Sequence, residues 1–300
     1  MEEKFIKMIK IVTHNQHFHP DDVFAVATLS IFLNKHFEIA RTRNPLIIKD
    51  ADFVVDVGGE YDEERNRFDH HQSGGAGERG NGIPYASFGL VWKKYGVSIC
   101  GSEEVAEIIE KKIVEPTDAE DNGITITKSI FEEVYPYSYF RTIYILNPTW
   151  KERNIDRNKL FMKAVESSKE ILLREIEIAQ HFIEGRQFVE KAYETAEDKK
   201  LIILESEYSW KDVLDKHKEP IFVVAPNFEE EQWRVVAVRD NSHSFKNRKN
   251  LPESWGGKND GELALETGVS DAVFCHRNLF IASAWSKDGA IKMAKIAIEK

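Results

Sequence analysis

Residues 51–72 read "ADFVVDVGGEYDEERNRFDHHQ" and place several acidic and imidazole side chains behind a short apolar run. The letters "FVV" predict a buried strand, and Asp56 follows them directly. A buried carboxylate without a partner is costly or stays protonated, so this position predicts a compensating group, for which a divalent cation is suited. The alternative is that Asp56 caps the following glycine turn through backbone amides.

Strand-like and helix-like patterns alternate through the first half of the chain, which predicts an α/β fold with a parallel sheet. The predicted strands are residues 5–14 and 51–58, and the predicted helices are residues 23–36, 85–96 and 102–121. The glycine-rich stretch 74–82 predicts a loop without regular structure, because glycines favour turns over helices and strands.

The second half opens with a long helical pattern over residues 158–196, in which apolar residues recur every three or four positions. Three predicted strands follow at 200–206, 220–227 and 232–240, and a predicted helix at 287–300 closes the chain. We therefore expect two domains with a boundary near residue 155, the second one smaller, also α/β, and joined by the long helix.

Composition excludes several classes of protein. The formal net charge of −10 argues against a protein that coats nucleic acid by bulk attraction, although a local basic cluster can still bind a small polyanion. No apolar run reaches the roughly 20 residues that a bilayer requires, and residues 1–14 predict no signal peptide. The two cysteines lie far apart, which predicts no disulfide framework and fits a reducing cytoplasm.

Aspartates and histidines gather where strands or helices are predicted to end. The carboxyl ends of parallel strands open onto one crevice, so these groups are expected to converge. Read one at a time, they also fit solvated loop histidines, a turn-capping aspartate or a helix end. The clustered residues are His14, His17, His19, Asp21, Asp22, Asp56, Asp69, His70, His71, Asp118 and Asp121.

Imidazole and carboxylate ligands without thiolates suit Mn²⁺, Fe²⁺ or Zn²⁺ in a reactive site better than a structural zinc site. Asp69 is placed to orient a neighbouring histidine, as carboxylates commonly do around metals. Two such ions about 4 Å apart can activate a water and neutralise phosphate oxygens. The pattern therefore predicts metal-assisted phosphoester hydrolysis.

The order of these segments resembles that of the Myg-one (melanocyte proliferating gene one) exonucleases, a family similar to the DHH phosphoesterases. The segments are "THN…FHPDD" (13–22), "DVGGEYD" (56–62), "DHHQ" (69–72), "SFGLVW" (87–92) and "DAEDNGI" (118–124). In the second half "WRVVAV", "SFKNRKNLPESW", "FCHRNLFIA" and "DGAIKMA" are also similar to family motifs. The resemblance covers most of the chain.

The resemblance implies a DHH-like metal-binding catalytic domain over residues 1–155 and a linker helix with a substrate-binding domain over 156–300. The implied activity is 3′–5′ exonucleolytic cleavage of RNA or short oligonucleotides with two Mn²⁺ or Mg²⁺ ions. His71 would touch the scissile phosphate, and Asp69 would support the neighbouring imidazole. The implied metal ligands are His14, His19, Asp21, Asp56, His70, and Asp118 or Asp121. Arg248 and His276 are candidate phosphate contacts, with ordinary surface roles as the alternative.

Three positions depart from the related patterns. The wider DHH superfamily opens with H-x-x-x-D-x-D, and aligning His17 with that histidine would place Val23 at the second carboxylate. A register that uses His14 with Asp21, and with Asp22 as a further candidate, is preferred. Gln16 stands where the family typically has glycine. Residues 280–285 read "FIASAW" where family members often have "FIGGH", so close backbone approach to phosphate is expected to be weaker.

Two other functions remain open from the sequence. One is a hydrolase of small phosphates such as pyrophosphate or a dinucleotide, which would need a closed pocket rather than an open groove. The other is a metal-binding or RNA-binding module whose catalysis has decayed, a hypothesis motivated by "FIASAW". The sequence predicts no membrane partner and leaves a homo-oligomer open.

Overall fold

The computed structural model describes residues 8–34, 37–241 and 245–300, and the chain forms two compact units, Met1–Gln180 and His181–Lys300. Each unit contains its own five-stranded sheet with helices packed on it, in agreement with the predicted α/β class. The division falls inside the long helix, whereas the sequence places a boundary near residue 155. The assignment of catalysis and substrate binding to separate domains stays a prediction.

The first unit follows the predicted alternation of strands and helices. Its elements are β1 (Ile9–Thr13), α1 (Pro20–Leu33), β2 (Phe37–Arg41), α2 (Pro45–Lys49), β3 (Phe53–Val55), β4 (Tyr61–Asp62), β5 (Arg67–Phe68), α3 (Ser87–Cys100), α4 (Glu103–Ile109), α5 (Glu115–Asp121) and α6 (Tyr139–Tyr144). A π-helical turn, Glu110–Val114, joins α4 to α5 where the sequence predicts one unbroken helix. Helix α7 (Arg157–Thr195) begins in this unit, one residue before its predicted start.

The first sheet has the strand order β2-β1-β3-β5-β4, in which only β4 runs antiparallel to its neighbour. Ile11 pairs with Phe53, and Val55 pairs with Phe68, so β1, β3 and β5 end at the same edge. Strands β2, β4 and β5 were not predicted. Strand β2 carries Glu38 and Arg41 on an edge position, and the other two have only two residues each.

Helix α1 lies in the core of the first unit. All its residues from Pro20 to Ser30 are buried, because the helix contacts β3 and also α3, α5 and α6. Its start combines Pro20 in the first turn with a capping box, in which His19 and Asp22 satisfy each other's backbone amides. Phe24 stacks on Phe88 of α3 with ring centroids 5.1 Å apart. The two acidic residues of the first turn are therefore fixed in a dry environment.

The amino terminus of α3 is capped by carboxylates from other helices, since its own N-cap residue, Ala86, offers no side-chain acceptor. The amides of Ser87 and Phe88 donate to Asp21 at 3.2 and 2.6 Å. The amide of Gly89 donates to Asp118 at 3.0 Å, and Arg79 forms an ion pair with Asp118 at 2.7 Å. Negative charge at a helix amino terminus is stabilising, so these contacts join α1, α3 and α5.

The second unit contains a mixed sheet of order β6-β7-β8-β10-β9, in which β6 and β7 are parallel and the other pairs antiparallel. Its core surrounds the buried Trp255 and Met293. Its elements are β6 (Leu201–Ile203), α8 (Lys211–Leu214), β7 (Phe222–Asn227), β8 (Gln232–Ala237), α9 (Asp260–Thr267), β9 (Ala272–Cys275), β10 (Ile281–Ala284) and α10 (Lys287–Glu299).

The segment "FIASAW" contains the whole of strand β10, which corrects the expectation of a phosphate-approaching loop. Ala282 and Ser283 are buried, and β10 pairs with β8 on one side and β9 on the other. The backbone of this segment therefore forms the hydrogen bonds of the sheet. The absence of glycine here is no evidence that catalysis has decayed. Across the described ranges, no helix has the combined length and apolar character required to cross a membrane.

Gly89 is required by close packing, and its replacement tests the capping arrangement. A Cβ atom at this position would overlap the Asp118 carboxylate and the Arg79 guanidinium. We expect Gly89→Ala to break this buried pair and lower the free energy of unfolding by about 3 kcal/mol, measured by denaturant unfolding. Gly80→Ala is the control, since its Cβ would meet nothing within 4 Å. Equal stability of the two variants would contradict the capping role.

Candidate metal centre

The carboxyl edge of the first sheet presents a cluster of titratable side chains. His14 follows β1, Asp56 follows β3, and Asp69, His70 and His71 follow β5. Since these three strands are parallel neighbours, their ends meet at one edge. The first turn of α1 and the last turn of α5 add further carboxylates from Asp21, Asp22 and Asp121.

Asp56 lies at the middle of this cluster. Its backbone is in the left-handed region with φ 55°, and its amide donates to Phe68 O at 3.0 Å. The carboxylate lies 3.2 Å from His14 Nε2, 3.5 Å from His70 Nε2 and 3.3 Å from His71 Nδ1. Burial favours its neutral form, yet these imidazoles lower the pKa of Asp56 below its usual value. Asp56 is therefore a buried anion that needs positive charge around it.

His14 is buried and oriented for its Nε2 atom to face carboxylates. Its Nδ1 lies 2.9 Å from the carbonyl oxygen of Asn15, and its Nε2 lies 3.3 Å from Asp22 Oδ2. Burial opposes a charge on this ring, but Asp56 and Asp22 outweigh it and raise the pKa of His14. Burial also raises the pKa of Asp22 to about 7. A ring held through Nδ1 leaves Nε2 for a metal.

His19 stands beside His14, with ring centroids 5.3 Å apart. Burial and the neighbouring His14 lower the pKa of His19, which favours the neutral imidazole that binds metals. His19 and His14 form with Asp56 one of three groups whose ligand atoms all lie within 4.8 Å of one another. The other two groups are Asp56 with His70 and His71, and Asp21 with His70 and Asp121.

His70 links Asp56 to the end of α5. Its Nε2 lies 3.1 Å from Asp121 Oδ2, and with Asp21 these residues form a second group of ligand atoms. Burial disfavours a charged ring, but the flanking carboxylates of Asp121 and Asp56 raise the pKa of His70 to about 11. For Asp21, burial raises the pKa well above its usual range. The His70 ring therefore lies between carboxylates, in the place that a metal cation would take.

His71 differs from His14, His19 and His70 because its side chain is 62% exposed. Asp69 fixes it through two bonds, accepting from the His71 amide at 3.1 Å and contacting Nδ1 at 2.8 Å. Asp69 also accepts from the Gly59 amide at 2.5 Å. The bond with Asp69 raises the pKa of His71. Asp69 therefore orients a ring whose Nε2 edge is open to a ligand.

Three buried atoms in the cluster have no hydrogen bond of adequate geometry within the described residues: His14 Nε2, His70 Nε2 and Asp22 Oδ2. Carboxylate oxygens approach the two ring nitrogens within 3.1–3.5 Å, but these contacts do not have hydrogen-bond geometry. Buried polar atoms are rarely left in this state unless an ion or water completes them. The nitrogen and oxygen donors present fit a divalent transition-metal ion or Mg²⁺.

The remaining predicted residues lie elsewhere. Asp118 binds Arg79 and the amide of Gly89 and belongs to none of the three groups, so we leave it out of the proposed ligand set. His17 is exposed and also outside them, which favours the register that uses His14. Ser87, not singled out from the sequence, donates to Asp56 at 3.4 Å. Its position in "SFGLVW" is the signal that was available.

Arg248 and His276 belong to the second unit. Arg248 donates to the carbonyl oxygen of Pro220 at 3.0 Å, and His276 Nδ1 accepts from the Asn278 amide at 3.0 Å. Both side chains are partly exposed. A cleft of about 630 Å³ in this unit is lined by basic and aromatic residues, Arg239 and Phe280 among them. Phe280 contacts the His276 ring at 4.6 Å between centroids.

Comparison with known proteins assigns the family. A family model described as "Uncharacterised protein family (UPF0160)" and labelled MYG1_exonuc matches residues 10–298. The chain belongs to the MYG1 family. It is 33% identical to the MYG1 protein of Dictyostelium discoideum over 313 residues, covering 95% of each chain. It is 32% identical to the MYG1 exonuclease of Homo sapiens over 326 residues, covering 96% of this chain and 85% of the human one.

Replacement of Gln16 tests whether the backbone is strained in the loop between β1 and α1 of this MYG1 family member. Its φ of 74° lies in the left-handed region, where glycine fits without a Cβ clash. We expect Gln16→Gly to raise the free energy of unfolding by roughly 0.5–1 kcal/mol, measured by denaturant titration. Asn15→Gly, in the same loop but without a positive φ, is expected to lower it. A loss of stability in Gln16→Gly would contradict strain at this residue.

Proposed function

We propose that this chain is a divalent-metal-dependent phosphoesterase that removes nucleotides from the 3′ end of RNA or short oligonucleotides. The observation that carries the proposal is the meeting of His14, Asp56 and His70 at one sheet edge, with ligand atoms aimed at each other but poorly hydrogen-bonded. Such a set attracts cations, and cations attract phosphate.

The named relatives support the reaction class. The similar proteins of Homo sapiens, Mus musculus and Bos taurus are named MYG1 exonuclease and cover this chain almost from end to end. The polarity of cleavage and the preference for RNA rest on the resemblance of the sequence motifs to the Myg-one and DHH enzymes. That resemblance also supports a DHH-like first domain and a second domain that holds the substrate.

Two ions fit the donor set, and Mn²⁺ or Mg²⁺ suits its nitrogen and oxygen atoms. In our assignment His14, His19 and Asp56 would hold one ion, and Asp21, His70 and Asp121 would hold the other. When bound, the ions would neutralise negative charge on the phosphate and make water a better nucleophile at neutral pH. Imidazole binds metals in its neutral form, so the raised pKa values of His14 and His70 would oppose metal binding.

The chain's own residues complete the proposed mechanism. His71, fixed by Asp69, presents its exposed ring to the scissile phosphate and gives a hydrogen bond or proton to the leaving oxygen. In the second unit, Arg248 and His276 remain our candidates for contacts to the phosphates of the chain. We keep the functional division predicted from the sequence, with catalysis in residues 1–155 and substrate binding in 156–300.

Replacement of Asp56 tests the metal assignment. We expect Asp56→Asn to weaken Mn²⁺ binding at least about 100-fold and to abolish RNA cleavage. Loss of a residue that only hydrogen-bonds to a metal ligand already weakens binding by up to about 100-fold. Binding is measured by calorimetry. Mn²⁺ at 100 times its Kd should stabilise the wild type by about 2.7 kcal/mol, and EDTA should remove this gain.

Asp50→Asn is the control, because Asp50 is exposed at the end of α2. Cleavage is followed on single-stranded RNA, the matching DNA and pyrophosphate, with label at either end to read polarity. Wild-type cleavage by Asp56→Asn would refute the site. Hydrolysis of pyrophosphate alone would replace our proposal with a small-phosphate hydrolase.

His71→Ala tests the phosphate contact separately from the metal. We expect kcat to fall about 10²- to 10⁴-fold, as for loss of a general acid, with Mn²⁺ affinity unchanged in calorimetry. Asp69→Asn should cause a smaller fall, because the ring stays present but is less well oriented. If His71→Ala instead lost Mn²⁺, His71 would be a metal ligand rather than a phosphate contact.

A further inference from the structure

We infer that a cleft beside the candidate metal centre binds the phosphodiester chain next to the cleaved nucleotide, with Arg141 as its phosphate contact. The inference rests on the proposed function and narrows its substrate to a single-stranded oligonucleotide rather than a lone small phosphate. It also places a substrate contact in the first unit itself, apart from Arg248 and His276.

The cleft has a volume of about 480 Å³, within the range of small-ligand sites. One wall is the loop that carries His17 to His19, and the other is helix α6 with the residues that follow it. The side chain of Asn147 joins the two walls. It accepts from the Phe18 amide at 3.0 Å and donates to the Phe18 carbonyl oxygen at 2.9 Å. The relative position of the two walls is therefore fixed by specific hydrogen bonds.

His19 lies in both the cleft and the candidate metal centre. Its ligand atom belongs to the group with His14 and Asp56, and its ring also lines the cleft. On the cleft side, the His19 ring faces Tyr144 with centroids 6.3 Å apart. When the scissile phosphate of an RNA chain lies at the candidate metal centre, the adjacent nucleotide therefore lies in this cleft.

Arginines of the first unit fall into two sets, some with and some without a carboxylate partner among the described residues, and Arg141, which lines the cleft, is in the second set. Arg79, Arg65 and Arg174 each form an ion pair with a carboxylate. The exposed guanidinium of Arg141 has no such partner among the described residues, although the protein carries a net charge of −10. A guanidinium binds phosphate through parallel N–H bonds, so this unused cation suits the polyanionic chain.

The rest of the cleft suits a nucleoside. Ile145 is 57% exposed, and Tyr144 provides an aromatic surface beside it. Exposed apolar and aromatic walls next to one cation match the sugar and base that separate consecutive phosphates. Pyrophosphate has no group that would use these walls, so the cleft favours an oligonucleotide.

The test measures binding of a labelled single-stranded RNA by fluorescence anisotropy, with Ca²⁺ in place of Mn²⁺ so that turnover does not interfere. We expect Arg141→Gln to raise the Kd at least about tenfold. The slope of log Kd against log salt should fall by about 0.7–1, the signature of one lost phosphate contact. Arg141→Lys should keep the slope while binding more weakly.

Arg174→Gln is the control, because it removes the same charge from an exposed helix position outside the cleft. It should leave Kd and slope at wild-type values, and Mn²⁺ affinity should be unchanged in both variants. An Arg141→Gln variant that binds RNA with the wild-type Kd and salt slope, or a wild type that binds no RNA, overturns the inference. RNA binding that depends on Arg141, without any cleavage in Mn²⁺, would refute the proposed function and leave this inference standing.

Discussion

The first unit depends on how it balances negative charge at one dry edge of its sheet. Asp21, Asp22 and Asp56 are almost fully buried there, and like-charged carboxylates so near each other cannot all stay ionised without compensation. Part of the compensation comes from the amide groups that begin α3, and part from the imidazoles of His14 and His70. The fold therefore holds its acidic groups together by contacts that a divalent cation can take over.

This balance distinguishes the carboxylate that stabilises the fold from those that we propose as metal ligands. Asp118 has its charge matched by Arg79, accepts from a helix amide and lies outside the three groups of ligand atoms. Asp56 is contacted by histidines without hydrogen-bond geometry, which leaves it suited to an ion. Asp21 is intermediate, since it caps α3 and also lies with His70 and Asp121. The same residue type therefore has three different roles within one cluster, according to its neighbours.

The sequence predicted the features that local pattern controls. Helix α7 lies within one residue of its predicted bounds because its apolar spacing is regular over a long stretch. The convergence of His14, Asp56 and His70 followed from strand ends in a parallel sheet. The sequence did not separate Asp118 from Asp121, since their spacing leaves both on one helix face, and the choice depends on where Arg79 and α3 pack. Strand β10 was missed because it has only four residues, and two of them are alanines, which have low strand propensity.

The π-helical turn between α4 and α5 has a geometric consequence. An α-helix rotates about 100° per residue, so the wider turn at Glu110–Val114 changes the rotational phase of everything after it. In the observed phase, Asp118 points at Arg79 while Asp121 reaches His70. Removing one residue there would shift both carboxylates out of alignment together. The rotational position of helix α5 therefore sets both the buried Asp118–Arg79 ion pair and the position of Asp121 in the candidate metal centre.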